Sequence, residues 1–191
     1  MSSKEIEQNA CPSFEAGQWL FVPACEREPI MREPIETFRF ESDFAGSLRC
    51  IPMAVRFKLD LCGIKLSLRQ WSRFEEPERR WLLEQPCKVP ADVEAYRMAL
   101  TEFIARRTGE LAKSIDAGEA VAWAASDGVP QVVTSQAASR GVTPPTGAQW
   151  CKLTDLQRFA LLKLTRPGHD NENFVPAMLE FGILSELEGT L

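Results

Sequence analysis

Apolar residues recur at steps of three and four positions along most of the chain, a spacing that predicts amphipathic helices. In "SLRCIPMAVRFKLDLCG" this spacing predicts a helix with Pro52 in its first turn and Gly63 at its end. In "ADVEAYRMALTEFIARRTGELAKSID" it predicts one helix of about 25 residues, roughly 37 Å long. The apolar positions of this longer helix are Val93, Tyr96, Leu100, Phe103, Ile104, Leu111 and Ile115.

The pattern of the segment that begins at Gln70, "QWSRFEEPERRWLL", returns at Gln149 as "QWCKLTDLQRFALL". Each copy predicts a short helix with a tryptophan, a turn, and a second helix with an arginine and two leucines. Four pairs of residues have the spacing of a capping box at the starts of these helices. They are Ser67 with Gln70, Glu75 with Glu78, Thr146 with Gln149, and Thr154 with Gln157. We therefore expect two similar helix pairs.

Matching positions of the repeat should have matching roles. Trp71 and Trp150 are expected to be equivalent anchors of the hydrophobic core. Arg79 and Arg158 are expected to cap the end of a preceding helix or to stack on an aromatic ring, rather than to do chemistry.

The other segments are less regular. "TFRFESDF" alternates as a strand would, and residues 117–145 predict a long loop with a small hairpin at "QVV". A last helix, "FVPAMLEFGI", would be capped by Asp170, Asn171 or Asn173.

Together these patterns predict an all-α fold. Residues 38–191 would form a single helical domain in which two similar helix pairs surround the long helix. Residues 1–37 contain four prolines, which disfavour helix and predict an extended N-terminal arm.

The composition is that of an ordinary globular protein, with 191 residues of which 45% are hydrophobic and 26% charged. No apolar run reaches the roughly 18 residues of a membrane span. The N-terminus also lacks the positive cluster and apolar stretch of a secretory signal. We therefore expect a cytoplasmic protein without a membrane segment.

Six cysteines are scattered along the chain without a C-x-x-C pair, and His169 is its single histidine. Buried thiols in a reducing compartment explain this pattern better than metal ligation, so we predict no metal and no cofactor. His169 lies in the turn "TRPGHDNEN". It fits a turn or capping role, with ligand contact or proton transfer as the alternative.

Charge is distributed unevenly along the chain. Residues 1–45 carry a net charge of −5, residues 167–191 also carry −5, and residues 46–73 carry +5. We call residues 46–73 the basic block; its basic residues are Arg49, Arg56, Lys58, Lys65, Arg69 and Arg73. The whole chain, at −5, is too acidic for non-specific binding of nucleic acid. The basic block is where we expect an anion to bind.

The sequence contains no G-x-G-x-x-G, Walker loop, H-E-x-x-H, G-x-S-x-G or EF-hand motif. The acidic run "EEPE" at 75–78 fits a solvated helix start, where carboxylates favour the positive end of the dipole, better than acid–base catalysis. No catalytic residue is predicted, and an enzyme is the less favoured hypothesis.

Two stretches carry a resemblance to a known family. They are "FRFESDFAGSLRCIPMAVRFKLDLCGIKLSLRQW" and "LTDLQRFALLKLTRPGHDNENFVPAMLEFGI", in which "SLRCIPMAVRFKLD" and "RFALLKLTRPGH" are the most specific. From about Phe38 to Leu184 the chain resembles the nitrate reductase-associated protein family. Members of that family, mostly bacterial and cyanobacterial, are encoded near genes for assimilatory nitrate reductase and the molybdopterin cofactor. The resemblance implies a setting in nitrate assimilation and supplies no catalytic residues.

Two functional hypotheses follow. The first is a non-enzymatic accessory protein that contacts nitrate reductase or a molybdenum-cofactor maturation protein. The second is an enzyme or binder of a small anionic ligand such as a pterin phosphate. The candidate binding residues are Arg49, Arg56, Lys58, Arg166 and His169. Basic side chains that converge on a concave site would favour the second hypothesis, and a convex spread would favour the first.

Overall fold

The computed structural model describes residues 37–42, 46–115, 123–124, 128–166 and 172–185. This part of the chain is mostly helical and confirms the all-α prediction. The helices are α1 (Met53–Cys62), α2 (Leu68–Trp71), α3 (Glu76–Glu84), α4 (Pro90–Thr108), α5 (Gln131–Ser139), α6 (Gly147–Lys152), α7 (Asp155–Leu164) and α8 (Phe174–Glu180). Two short antiparallel strands, β1 (Ile64–Lys65) and β2 (Lys113–Ser114), form the small sheet of the described residues. The predicted N-terminal arm lies outside the described residues, apart from residue 37.

The helix predicted after Pro52 is confirmed as α1. Pro52 is its N-cap, and Gly63 ends it in the left-handed conformation, with φ of 66°. The long helix, by contrast, is shorter than predicted. Gly109, with φ of 71°, ends α4 after 19 residues. Leu111, which was predicted on its apolar face, is 86% exposed in the segment that leads to β2.

Two local patterns formed structures that their spacing did not indicate. "TFRFESDF" has the spacing of a strand, but Arg39–Glu41 form a 3-10 turn, because Phe38 and Phe40 both pack on Phe181 instead of facing opposite sides. Residues 117–145 were predicted as a long loop with a small hairpin at "QVV", which was wrong, because Gln131–Ser139 form α5. Val133 and Ala137, four positions apart, form a buried stripe of this helix beside α7.

All four predicted capping sites begin helices. At α2, α6 and α7 the hydroxyl of Ser67, Thr146 or Thr154 accepts from the amide three residues later. At α3 the Glu78 carboxylate accepts from the Glu75 amide at 2.8 Å. For the last helix, Asn173 is the N-cap of α8 but its side chain makes no capping bond, and Asp170 and Asn171 lie outside the described residues.

The two helix pairs, α2–α3 and α6–α7, confirm the structural meaning of the repeat. Trp71 and Trp150 are both fully buried in the core. The indole of Trp71 donates to the Leu48 carbonyl at 2.8 Å and so fixes the chain that enters α1. The first pair packs directly on α4, while α1 contacts both α4 and α7. Helix α1 thus connects the second pair to the long helix.

The matched arginines have the capping role that was expected. Arg79 donates to the carbonyls of Ser72 and Phe74, just beyond α2, and its guanidinium lies 5.9 Å from the Trp71 ring. Arg158 donates to the Leu153 carbonyl, just beyond α6, at 2.8 Å. Both side chains reach back five residues to the carbonyl that precedes the N-cap of their own helix.

Arg56 makes the same bond in α1, which the repeat did not predict. Its Nε donates to the Ile51 carbonyl at 3.0 Å, again five residues back. A buried leucine follows each of the three arginines by three positions: Leu59, Leu82 and Leu161. Among the described residues this arrangement therefore occurs three times. An arginine at the fourth position of a helix donates to the carbonyl before the N-cap, and a leucine three positions later lies in the core.

Free thiols are found at all four described cysteines. Cys62 and Cys87 are buried, as predicted for core thiols, whereas Cys50 is half-buried and Cys151 is exposed. Within the described ranges, no helix is both long and apolar enough to cross a membrane.

Candidate functional site

The structure gives the predicted binding residues different roles. Arg49 and Arg166 are exposed, and Arg56 and Lys58 are half-buried. His169 lies outside the described residues. Arg49 precedes α1, so it does not share a helical face with Arg56, although the two are seven positions apart. The assignment of binding to these five residues stays a prediction.

Lys58 caps the end of α3. Its Nζ donates to the carbonyls of Leu83 at 2.7 Å and Gln85 at 2.6 Å, two of the groups that the end of a helix leaves without a partner. Burial lowers the pKa of Lys58 to about 8, although the neighbouring Cys87 acts in the opposite direction. The ammonium group of Lys58 therefore serves to cap α3.

A cavity of about 180 Å³ opens where α2 meets the end of α4. Its walls are polar and contain three arginines: the lining residues are Arg69, Gln70, Arg73, Arg107, Thr108 and Glu110. The side-chain amide of Gln70 donates to the Glu110 carboxylate at 2.7 Å and fixes the loop after α4 against α2. We call this cavity the arginine pocket. None of the four described candidate residues lines it.

The three arginines of the pocket differ in how far their charge is compensated. Arg107 Nε lies 2.9 Å from Glu78 Oε1, and its Nη1 lies 2.8 Å from Glu75 Oε1. Arg69 and Arg73 are exposed, and among the described residues neither guanidinium has an ion-pair or hydrogen-bond partner. The positive charge available to a ligand therefore comes chiefly from Arg69 and Arg73.

Glu78 explains how Arg107 is held. "EEPE" was predicted to be a solvated helix start, and Glu75 and Glu76 are exposed, but Glu78 is buried between α3 and α4. Arg106 lies 2.6 Å from Glu78 Oε1 and Arg107 lies 2.9 Å from it. Burial acts to raise the pKa of Glu78, but the Glu75 amide and the two arginines outweigh it and lower the pKa below its usual value.

Sequence reasoning included Arg69 and Arg73 in the basic block but did not find the pocket. The pocket needs Arg107 and the loop after α4, which come from a segment of balanced charge about 40 positions away. Gly109 was the signal in the sequence that could have indicated the pocket, because a helix that ends there places Glu110 in a loop beside Arg107. Among the described residues, no group of three or more His, Cys, Asp or Glu side chains could hold a metal ion.

A family model described as conserved nitrate reductase-associated protein matches residues 37–181, about three quarters of the chain. The chain belongs to this family. The match confirms the resemblance inferred from the sequence and includes both helix pairs and the arginine pocket. Neither the comparison with curated proteins nor the comparison with solved structures found a significant match.

Proposed function

We propose that the chain is an accessory protein of nitrate assimilation, which assists nitrate reductase or the maturation of its molybdenum cofactor through protein–protein contact. The family links the chain to nitrate reductase by name. The single structural observation that carries the proposal is the pair Arg69 and Arg73, exposed and without a partner among the described residues.

Exposed arginines are suited to this role. A guanidinium is planar, always charged and binds carboxylates with two parallel hydrogen bonds, which is why arginine is enriched at protein interfaces. An acidic surface on the partner would be attracted to this region, and the association would weaken as salt is added. Arg49 and Arg166 are also exposed and remain candidates for binding. We place the complex in the cytoplasm.

The test is direct binding of the full-length chain to purified nitrate reductase and to a molybdenum-cofactor maturation protein. Calorimetry at low and high ionic strength should detect an association with one of them that weakens with salt. Arg73→Glu should weaken it about tenfold, roughly 1.4 kcal/mol. Lys152→Glu is the matched control, because Lys152 is an exposed basic residue on α6 whose side chain has no ion-pair partner among the described residues. Absence of binding to both proteins would contradict the proposal.

A cellular measurement separates an accessory role from a passive association. In nitrate-grown cells that lack the chain, nitrate reductase should contain less molybdenum and have lower activity per enzyme molecule. Restoring the wild-type chain should correct both, and the Arg73→Glu chain should correct them only in part. Unchanged molybdenum content and activity would contradict an assisting role even if the two proteins bind.

The second candidate function is binding of a small anionic ligand such as a pterin phosphate. The observation in its favour is that Arg69, Arg73 and Arg107 converge on one concave pocket. Calorimetry with a pterin phosphate and with inorganic phosphate tests it. Binding that is lost in Arg69→Glu but retained in Lys152→Glu would support this function. Glu110 in the pocket wall, together with Glu75 and Glu78 on Arg107, reduces the charge available, so we rank it second.

A further inference from the structure

We propose that a defined surface beside the arginine pocket binds an acidic segment of a partner protein that also carries apolar side chains. Its centre is apolar, Leu68 and Leu111, and its rim is basic: Lys65, Arg69, Arg73 and Lys113. We call it the hairpin surface, after the antiparallel pair of β1 and β2, although α2, α3 and α4 lie between the two strands in the chain. The proposal deepens the proposed function, on which it rests, by naming the contact surface and the chemistry of the partner.

The chain path brings these residues side by side. β1 pairs antiparallel with β2, with Lys65 opposite Lys113. A few positions further on, the side-chain amide of Gln70 donates to the carboxylate of Glu110 at 2.7 Å. The two stretches between these tie points therefore run next to each other, one containing Leu68 and the other containing Leu111.

The charges of the hairpin surface are arranged at a cost to the fold. Lys65 and Lys113 are directly opposite in the ladder and both exposed, and like charges in that relation destabilise a strand pair. Residues 64–73 and 107–115 contain five basic residues and one acid, Glu110, whose carboxylate already accepts from Gln70. An acidic partner would relieve the repulsion on binding.

The centre of the hairpin surface has the character of an interface anchor. Leu111 is 86% exposed and Leu68 is 54% exposed, although leucine is among the residues most often buried. Interfaces place apolar side chains at the centre and polar or charged ones at the rim, and the central contacts contribute most of the binding energy. A partner segment that alternates acidic and apolar residues would match both zones.

The decisive variant is Lys113→Glu, because it separates binding from stability. It replaces a like-charge pair with an opposite-charge pair across the strands, so the chain should become slightly more stable. The same change removes a basic rim residue, so affinity for an acidic segment should fall about tenfold. A residue with a purely structural role would not move the two measurements in opposite directions.

The apolar centre is tested by Leu111→Ser and Leu68→Ser. Met98→Ser on α4 and Val132→Ser on α5 are matched controls, because these residues are 61% and 54% exposed and lie outside the hairpin surface. The two leucine variants should each weaken binding several-fold, and the controls should leave it unchanged. Thermal unfolding of every variant verifies that it is folded.

Two probes are used with the full-length chain: the purified nitrate reductase or maturation protein, and a short synthetic peptide of alternating glutamate and leucine. The residues whose backbone amide NMR chemical shifts change when the peptide is added locate the bound peptide on the chain. If the purified partner binds wild type and loses affinity in the hairpin-surface variants alone, both proposals are supported. If it binds every variant equally, the hairpin surface is wrong and the proposed function stands.

The peptide decides the case in which neither purified protein binds. Peptide binding with shifts at residues 64–70 and 110–114 would then support the hairpin surface while the proposed function fails. No peptide binding in that case would overturn both. Stronger binding to vesicles of anionic lipid than to the peptide, abolished by Lys113→Glu, would overturn the assignment to an acidic protein segment.

Discussion

Replacing Glu41 with glutamine should stabilise the protein near neutral pH. Glu41 is only 1% exposed, at the end of the 3-10 turn. One of its carboxylate oxygens accepts from the Met53 amide at 2.8 Å, and the other has no partner among the described residues. Burial raises the pKa of Glu41 to about 7, and the Met53 amide and the charge of Arg56 oppose the rise only in part.

The size and sign of the effect follow from this pKa. A rise from 4.5 to about 7 corresponds to about 3 kcal/mol at about 1.4 kcal/mol per pH unit. Between these values the native state binds the proton and the unfolded state does not. The contribution of Glu41 to stability is therefore complete below pH 4.5 and is lost as the pH rises towards 7. Glutamine keeps the acceptor for Met53 and carries no charge at any pH.

The assay is urea unfolding of wild type and Glu41→Gln between pH 5 and pH 8. The free energy of unfolding of the variant should exceed that of wild type at pH 8 by about 3 kcal/mol, and the difference should fall below about 1 kcal/mol at pH 5. Glu94→Gln is the control, because Glu94 is exposed on α4 and its carboxylate has no ion-pair partner among the described residues. Parallel profiles for wild type and Glu41→Gln would refute the reasoning.

Two further predictions concern the core and a helix end. Trp71→Ala and Trp150→Ala should each lower the free energy of unfolding by about 3 to 5 kcal/mol, because both side chains are fully buried at matching positions of the repeat. Unequal losses in chemical denaturation, with one near zero, would contradict their equivalence. Lys58→Met should cost about 1 to 3 kcal/mol at pH 7, because the carbonyls of Leu83 and Gln85 lose their donor. The depressed pKa of Lys58 predicts that wild type gains stability as the pH rises above 8, a gain that Lys58→Met should lack in urea unfolding.

Local signals in the sequence predicted much of the helical framework. A capping box specifies a helix start through residues three positions apart, so Ser67, Thr146 and Thr154 could be assigned without knowledge of the fold. The repeat then indicated that Trp71 and Trp150 are buried, because two equal helix pairs must each bury an apolar side.

The structures that local patterns did not indicate involve contacts between distant segments. The turn at Arg39–Glu41 depends on Glu180, whose carboxylate accepts from the Arg39 and Phe40 amides across about 140 positions. No local pattern reports such a bond. The end of α4 is different, because Gly109 was visible in the sequence. The apolar spacing of Leu111 and Ile115 outweighed it, although glycine is a frequent helix terminator.

The basic block illustrates why charge in a sequence is a poor measure of charge on a surface. Its first part contributes to the fold, since Arg56 closes the entry to α1 and Lys58 caps α3. Its second part, with Arg69 and Arg73, remains exposed. A count of residues cannot separate the two parts, because the separation depends on which backbone carbonyls lie within reach. The search for a binding surface therefore belongs at α2 and the small sheet, because the guanidinium groups of Arg69 and Arg73 have no hydrogen-bond partner in the part of the chain that the structure describes.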